Sequence, residues 1–243
     1  MTGFENKMLP ISEAAKFLGV SEITLRRWHD KGSFLASMVS PGGHRYYSIA
    51  DLEKMTKGLF RLAQEWASAN EPYEPVLDFY CATSDVFKTR LTTMAILLDS
   101  PIFQPNASFI SSAVGEIGNN SYDHNIGNWP DVPGAFFAYD LDKRIIVLAD
   151  RGVGILSTLR NVKPELQEHD EALHIAFTEV ITGRAPEHRG NGLKYVKDAL
   201  TKAGAELNFQ SGDAVLEINI KQPMIKINKS ENPIRGCLIR IKF

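Results

Sequence analysis

The 243-residue chain is poor in cysteine, has no long apolar run and shows no large excess of charge of either sign. Its two cysteines, Cys81 and Cys237, lie far apart without metal-ligand spacing, which argues against a disulfide framework and favours a reducing compartment. No apolar run approaches the length of a membrane span, and residues 1–10 lack the basic and then apolar pattern of a signal peptide. We therefore expect a cytoplasmic protein with no membrane partner.

The formal net charge of −2 excludes a chain that is basic throughout, so any contact with nucleic acid must come from a local cluster. No Gly-x-Gly-x-x-Gly motif opens a helix after the first strand of a βαβ unit, which argues against a dinucleotide-binding fold. The length is comfortable for two domains. A polar stretch with two prolines, residues 68–75, predicts their boundary, with one domain over 1–70 and the other over 76–243.

The predicted N-terminal domain begins with two short helices and a hairpin. Ser12 and Ser21 are suited to cap the two helices, and Gly19 and Gly32 are suited to end them. Short helices joined through Gly-Val-Ser indicate a helix-turn-helix, whose second helix can enter a DNA major groove. The sequence around Pro-Gly-Gly at 41–43 predicts a hairpin, or wing. Most of the positive charge lies on the second helix and the wing, at Arg26, Arg27, Lys31, His44 and Arg45.

The stretches ISEAAKFLGVSEITLRRW and PGGHRYYSIADL resemble the winged helix-turn-helix of the MerR and excisionase superfamily. The resemblance covers residues 9–55, and it is especially close to the N-terminal domains of certain insertion-sequence recombinases. It implies a double-stranded, sequence-specific DNA partner that is contacted by the second helix and by the wing. The residues expected at this contact are Thr24, Arg26, Arg27, Lys31, His44, Arg45 and Tyr46. The alternative is a small helical module whose arginines are only solvated.

An apolar stripe follows the wing on a helix predicted over residues 48–66. Its members recur at alternating steps of three and four: Leu52, Met55, Leu59, Leu62 and Trp66. In MerR-like regulators a helix at this place forms the dimer, so one alternative is a homodimer through this stripe that binds two half-sites. The other is that the stripe packs against the next domain. Gly58 interrupts the short stripe and leaves both alternatives open.

The second predicted domain alternates helix and strand patterns, which indicates an α/β or α+β class. On one of its helices Glu116 and Asn120 are four residues apart and share a face, while apolar residues at helical spacing mark another face. A later strand runs into Asp-x-Gly-x-Gly at 150–154, and Gly-x-Gly at 190–192 opens an amphipathic helix. Each motif is weak alone, and the informative feature is their order.

That ordered set resembles the GHKL ATPase superfamily, which includes gyrase, MutL, the histidine kinases and the anti-sigma serine kinases. The resemblance covers residues 106–243 and implies a Bergerat α/β sandwich, with helices on one face of a mixed sheet and ATP between them. By this resemblance Asn120 would hold Mg²⁺, Glu116 would orient or deprotonate the nucleophile, and Asp150 would accept the adenine amino group. The expected ATP-binding residues are Asn120, Asp150, Gly152, Gly154, Arg189, Gly190, Asn191, Gly192 and Leu193.

The combined expectation is an α+β protein with two domains, which binds DNA through the first and ATP with Mg²⁺ through the second. Residues 76–105 contain no histidine, which argues against a sensor histidine kinase, and Ser121 replaces the alanine that usually follows the asparagine. Turnover of ATP is therefore left open. The function that we favour is a DNA-binding regulator modulated by nucleotide. The alternatives are an anti-sigma-like serine/threonine kinase with a protein substrate, and a DNA-associated ATPase of mobile-element or phage-defence biology.

Overall fold

The computed structural model describes residues 7–18, 20–30, 34–75, 77–180, 192–220 and 222–243. The elements of its N-terminal part are β1 (Met8–Pro10), α1 (Ile11–Leu18), α2 (Glu22–Asp30), β2 (Met38–Val39), β3 (Arg45–Ser48) and α3 (Ile49–Ser68). The strands pair antiparallel in the order β1-β3-β2. The Gly43 amide closes the turn before β3 by donating to the Ser40 carbonyl at 2.8 Å, with φ of +79° at Gly43. Two short helices and a hairpin thus occur where the sequence predicts them.

The C-terminal part is built from helices packed on one large sheet. Its elements are β4 (Tyr80–Cys81), α4 (Ser84–Leu98), α5 (Ala107–Asp123), β5 (Ala135–Asp140), β6 (Ile145–Asp150), α6 (Gly154–Leu159), α7 (His169–Thr178), α8 (Gly192–Lys202), β7 (Glu206–Ser211), β8 (Ala214–Asn219), β9 (Gln222–Lys229) and β10 (Cys237–Lys242). The sequence did not predict β9, which has a proline as its second residue. Proline is tolerated in this strand because β9 lies at the edge of the sheet.

The large sheet has seven strands in the order β4-β5-β6-β10-β7-β8-β9. All pairings among the described strands are antiparallel, so the prediction of a mixed sheet is wrong. Short turns join β5 to β6 and link β7, β8 and β9 in succession. The helical connection from β6 to β7 does join two parallel strands, but β10 lies between them and is antiparallel to both.

One face of the sheet is covered by α4, α5, α7 and α8, which form an apolar core with it. The middle of this core is α5, whose buried residues follow helical spacing as the sequence predicts: Ile110, Ala113, Val114 and Ile117. The close contact of α5 with α4 requires glycine at 118, because a β-carbon there would collide with the ring of Phe87. The face of α5 that carries Glu116 and Asn120 is only half-buried.

The opposite face of the sheet is covered by α3 and the helix-turn-helix. The apolar stripe of α3 packs on β5, β6 and β10, where its buried residues meet Phe136, Val147 and Leu238. Leu52, Leu59 and Trp66 are each less than 5% exposed, so the chain's own sheet covers the stripe. The stripe is therefore not available for the predicted homodimer through residues 48–66, and packing against the next domain is the alternative observed.

The predicted boundary at residues 68–75 does not act as a free spacer. Helix α3 ends at Ser68, and the Trp66 indole nitrogen donates to the Tyr73 carbonyl at 2.7 Å, which folds the following segment back onto the helix. The Arg235 amide donates to the Ala67 carbonyl at 3.2 Å. The end of α3 is thus hydrogen-bonded both to the boundary segment and to the loop before β10.

Candidate DNA interface and nucleotide site

The second helix of the helix-turn-helix, α2, divides its residues between a core and an exposed side. Ser21 caps its start, since the Ser21 hydroxyl accepts from the Thr24 amide at 3.1 Å, and Leu25 and Trp28 are buried. Ile23 and Arg26 are exposed, and within the described part of the chain Arg26 pairs with Glu22 on the same helix at 3.4 Å. A half-exposed pair of this kind contributes little energy, so Arg26 can exchange it for a phosphate or a guanine edge.

Two other residues predicted to contact DNA from α2 lie on a different side of the helix. Thr24 is buried, and its hydroxyl donates to a carboxylate oxygen of Asp78 at 3.1 Å. The Arg27 guanidinium donates to the other carboxylate oxygen of Asp78 at 2.5 Å. In this arrangement Thr24 and Arg27 face the chain's own C-terminal part, in contrast to their predicted orientation towards DNA. No local pattern indicates these contacts, because the paired residues lie more than fifty positions apart.

Three residues of the wing are predicted to contact DNA, and one of them is exposed. His44 is exposed, whereas Arg45 and Tyr46 are half-buried. The Arg45 guanidinium pairs at 2.8 Å with Asp30, which lies at the end of α2. This pair links the wing to the end of α2. Lys31 lies outside the described residues, and its predicted role stays a prediction.

Three residues of the predicted nucleotide site come together where α5 and the start of α8 meet. Glu116 and Asn120 lie one turn apart on α5, and α8 begins at Gly192 directly over them. A β-carbon at Gly192 would collide with the Glu116 carboxylate and would lie 3.3 Å from the Asn120 amide nitrogen. Leu193 is half-buried and packs on the core of the helical face. Arg189, Gly190 and Asn191 lie outside the described residues.

Asp150 ends β6 and is 2% exposed. One of its carboxylate oxygens accepts from the Ser121 hydroxyl at 2.8 Å, and the other accepts from the Gly152 amide at 2.9 Å. Burial raises the pKa of Asp150 to about 6, although the hydrogen bonds from Gly152 and Ser121 limit the rise. The Cys237 backbone amide also donates to this carboxylate. Because each carboxylate oxygen has two lone pairs, Asp150 keeps acceptor capacity beyond these three donors.

The turn after Asp150 is shaped by its glycines. A β-carbon at Gly152 would collide with the side-chain amide of Asn125, whose oxygen also accepts from the Val153 amide at 2.9 Å. Gly154 has φ of +76° and begins α6. Ser121 in the last turn of α5 and Asn125 just after the helix therefore hold the glycine turn. The sequence did not predict these contacts of Ser121 and Asn125 with the turn. It drew attention to Ser121 only because this residue replaces the usual alanine.

The predicted nucleotide site has two ends, one at Glu116 and Asn120 and the other at Asp150. The side chains at the first end suit a magnesium nucleotide better than those at the second. An amide oxygen at Asn120 and a carboxylate at Glu116, beside the start of α8, are the groups that a magnesium–phosphate unit requires. At the other end Asp150 is covered, and a β-carbon at Gly236 would collide with its carboxylate. The predicted phosphate end thus carries groups of a suitable type, whereas at the predicted adenine end Asp150 is covered.

The residue after Asp150 connects the glycine turn to α3. The Arg151 side chain is fully buried and forms a bidentate pair with Asp131, with nitrogen–oxygen distances of 3.0 and 2.6 Å. Its third nitrogen donates to the Trp66 carbonyl in the last turn of α3 at 2.5 Å. Hydrogen bonds from Arg151 hold the pKa of Asp131 below its ordinary value. Sequence reasoning missed Arg151 because a buried arginine cannot be distinguished from a surface arginine in the sequence.

A cavity of about 420 Å³ lies between the end of α3 and the glycine turn. It is lined by residues 67–70, 152–154, 211–212 and 233–236, and by His169. Gly152 and Gly154 lie in its wall, whereas Asp150, Glu116 and Asn120 do not. The glycine turn therefore has α5 on one side and the cavity beside α3 on the other.

Comparison with known proteins identifies a family for the N-terminal part. Among the described residues, no helix has both the length and the apolar composition needed to cross a membrane. A search of curated proteins finds no match to the chain. The resemblance of residues 106–243 to the GHKL ATPases stays a prediction. Residues 10–47 match the family described as MerR family regulatory protein, so the chain carries a MerR-type helix-turn-helix domain over these residues.

Proposed function

We propose that the chain is a DNA-binding regulator in which ATP, bound by the C-terminal part, changes the affinity of the MerR-type domain for DNA. The DNA-binding half of this proposal rests on the family match over residues 10–47 and on the exposure of Arg26 and His44. A phosphate or guanine contact needs an arginine that can leave its present partner at low cost, and Arg26 meets this requirement.

The ATP-binding half is supported by the convergence of Glu116, Asn120 and Gly192. In this proposal Asn120 holds Mg²⁺ through its amide oxygen, and the start of α8 offers backbone amides to phosphate. Asp150 accepts the adenine amino group, with Ser121 holding the carboxylate in place. The magnesium ion supplies charge neutralisation for the phosphates, and Glu116 is positioned to orient or deprotonate a nucleophile.

The single observation that carries the coupling between the two halves is the contact of Arg151 with the end of α3. Asp150 and Gly152 flank Arg151 in sequence, and Arg151 donates to the Trp66 carbonyl. A nucleotide that needs Asp150 uncovered must move this turn, and the end of α3 is bonded to the same turn. ATP would then favour one of two positions of the DNA-binding domain through its different affinity for them.

The test is DNA binding at one fixed salt concentration, without nucleotide, with Mg-ADP and with Mg-ATP. The labelled duplex comes from the DNA immediately upstream of the coding sequence, and Asp150→Asn serves as the control. We expect Mg-ATP to change the affinity of the wild type and to leave the variant unchanged. Equal affinity of the wild type in all three conditions would refute the modulation by nucleotide. Absence of binding to any duplex would refute the DNA-binding half as well.

A further inference from the structure

The side of α2 that faces the C-terminal part is held by a single acidic residue. Asp78 accepts from Arg27 through one carboxylate oxygen at 2.5 Å and from Thr24 through the other at 3.1 Å. The pair is partly shielded from solvent, since the side chains of Arg27 and Asp78 are 33% and 21% exposed. A pair that is partly shielded and held by a second hydrogen bond is stronger than the exposed pair at Arg26.

Asp78 belongs to the C-terminal part, and its backbone is fixed there. The Arg90 guanidinium on α4 donates to the carbonyl oxygens of Asp78 and Leu77, at 2.6 and 2.5 Å. The next residue, Phe79, is buried between Trp28 of α2 and Phe136 of the large sheet, with ring centroids 5.5 and 5.2 Å apart. The carboxylate of Asp78 is therefore presented to α2 from a rigid support.

A guanidinium that pairs with a carboxylate uses the same N–H groups that pair with a DNA phosphate. Arg27 cannot make full use of both partners at once. Arg26 differs, because its partner Glu22 lies on the same helix and travels with it. The contact of Arg27 instead joins α2 to a separate part of the molecule, so giving Arg27 to DNA requires loss of an interdomain bond.

We propose that Asp78 is an internal competitor of DNA, which holds Arg27 and Thr24 of α2 and keeps the helix-turn-helix in a state of lower DNA affinity. The acidic clamp, defined as Asp78 with Arg27 and Thr24, opens when a DNA phosphate replaces the carboxylate at Arg27. The inference rests on the DNA-binding half of the proposed function and is independent of the nucleotide half.

The experiment measures the binding of full-length protein to the labelled upstream duplex by fluorescence anisotropy, over a series of salt concentrations. Asp78→Asn keeps the shape of the side chain and removes its charge. We expect this variant to bind DNA about threefold to tenfold more tightly than the wild type. The slope of log affinity against log salt should stay close to that of the wild type, because Arg27 contacts a phosphate in both complexes and only the cost of releasing it differs. A phosphate contact does not depend on base sequence, so the comparison is valid for any duplex that the chain binds.

Two controls separate the clamp from a general effect of charge. Asp85→Asn makes the same change of charge at an exposed position in the first turn of α4, and it should leave the affinity within about twofold of wild type. In an Arg27→Ala background the gain from Asp78→Asn should disappear, because no guanidinium is released. Thr24→Val removes the second hydrogen bond without changing charge, and it should tighten binding by a smaller factor.

The outcomes distinguish this proposal from the proposed function. If Asp78→Asn binds no more tightly than wild type while Arg26→Ala weakens binding, the clamp is structural only and the DNA-binding function stands. An equal gain from Asp85→Asn, or a gain that persists without Arg27, would also overturn the clamp. If neither the wild type nor any variant binds DNA, both proposals fail. Should Asp78→Asn unfold in a thermal melt, Thr24→Val carries the test, and unchanged affinity there overturns the clamp.

Discussion

The two faces of the seven-stranded sheet are covered in different ways. On the helical face, α4, α5 and α8 pack through apolar side chains and a close glycine contact at Gly118. On the other face, α3 adds to its apolar stripe a fully buried arginine, Arg151, that bonds to the end of the helix. Apolar packing supplies burial on both faces, and hydrogen bonds tie the end of a helix to the sheet on both. The second face differs because its bond comes from a fully buried charged side chain. The DNA-binding domain is thus attached at a defined position.

The largest effect is expected from breaking the directional attachment. Arg151→Ala leaves the mostly buried carboxylate of Asp131 with the Val132 amide and the Arg235 guanidinium, and the Trp66 carbonyl with no bond from this side chain. We expect a loss of about 3–5 kcal/mol in the free energy of unfolding, measured by urea denaturation. Arg235→Ala, which removes a half-exposed partner from the same carboxylate, should cost about 1 kcal/mol or less. Equal losses in the two variants would show that burial of the arginine is not what matters.

The helical face is tested by a pair of substitutions on α5. Gly118→Ala drives a methyl group into the buried ring of Phe87, and we expect a loss of about 1–3 kcal/mol in stability. Gly115→Ala meets only a side-chain carbon of Leu91 at 3.2 Å, and it should be at least as stable as wild type because alanine favours the helix. Thermal melts of both variants make the comparison. A tolerated Gly118→Ala would contradict the close packing of α4 on α5.

Asp150, which α5 contacts from the helical face, gives a pH-dependent prediction. Its pKa is raised to about 6 in the folded protein, so the folded state binds this proton more tightly than the unfolded state does. The wild type should therefore lose stability as pH rises from about 4 to about 6, and this loss persists above that range. Asp150→Asn should remove this component. Urea denaturation between these pH values measures it, with Asp142→Asn in an exposed turn as the control. Identical pH profiles for wild type and Asp150→Asn would contradict the raised pKa.

The smallest effect is expected for DNA binding on substitution of Arg26, an exposed residue of α2 that packs on neither face of the large sheet. Arg26→Ala should weaken DNA binding by a few-fold and reduce the salt slope by about one phosphate contact. Arg61→Ala is the matched control, since Arg61 is an exposed arginine of α3 that also pairs with a glutamate four residues away. Anisotropy titrations over a salt series compare them. If Arg26→Ala and Arg61→Ala lower the salt slope equally, the DNA interface extends beyond α2 and the wing.

Sequence reasoning predicted those parts of the fold that depend on local pattern. The two short helices, the turn before β3 and the apolar face of α5 all follow from residues that are close together in the chain. The cap of α3 is local too, because the Ser48 hydroxyl accepts from the Asp51 amide at 3.1 Å. The convergence of Glu116 and Asn120 on α5 likewise needs only helical geometry.

The features that sequence reasoning missed depend on contacts between distant residues. Arg27 and Asp78 are 51 positions apart, and Arg151 and the Trp66 carbonyl are 85 positions apart. No local pattern distinguishes an arginine that will be buried from one that will be solvated. The antiparallel sheet was missed for a similar reason, since the place of β10 between β6 and β7 is a property of the whole topology.

The place of β10 also has a consequence for how the chain folds. This strand joins β4-β5-β6 to β7-β8-β9, and α3 packs against it, although 168 positions separate Ala69 after α3 from the start of β10 at Cys237. During synthesis the apolar side of α3 emerges from the ribosome long before the strand that completes its cover. Contacts of such long range are closed slowly, so the early chain exposes an apolar helix for an extended time. A chain cut before residue 237 would leave the sheet in two halves and α3 without its full support.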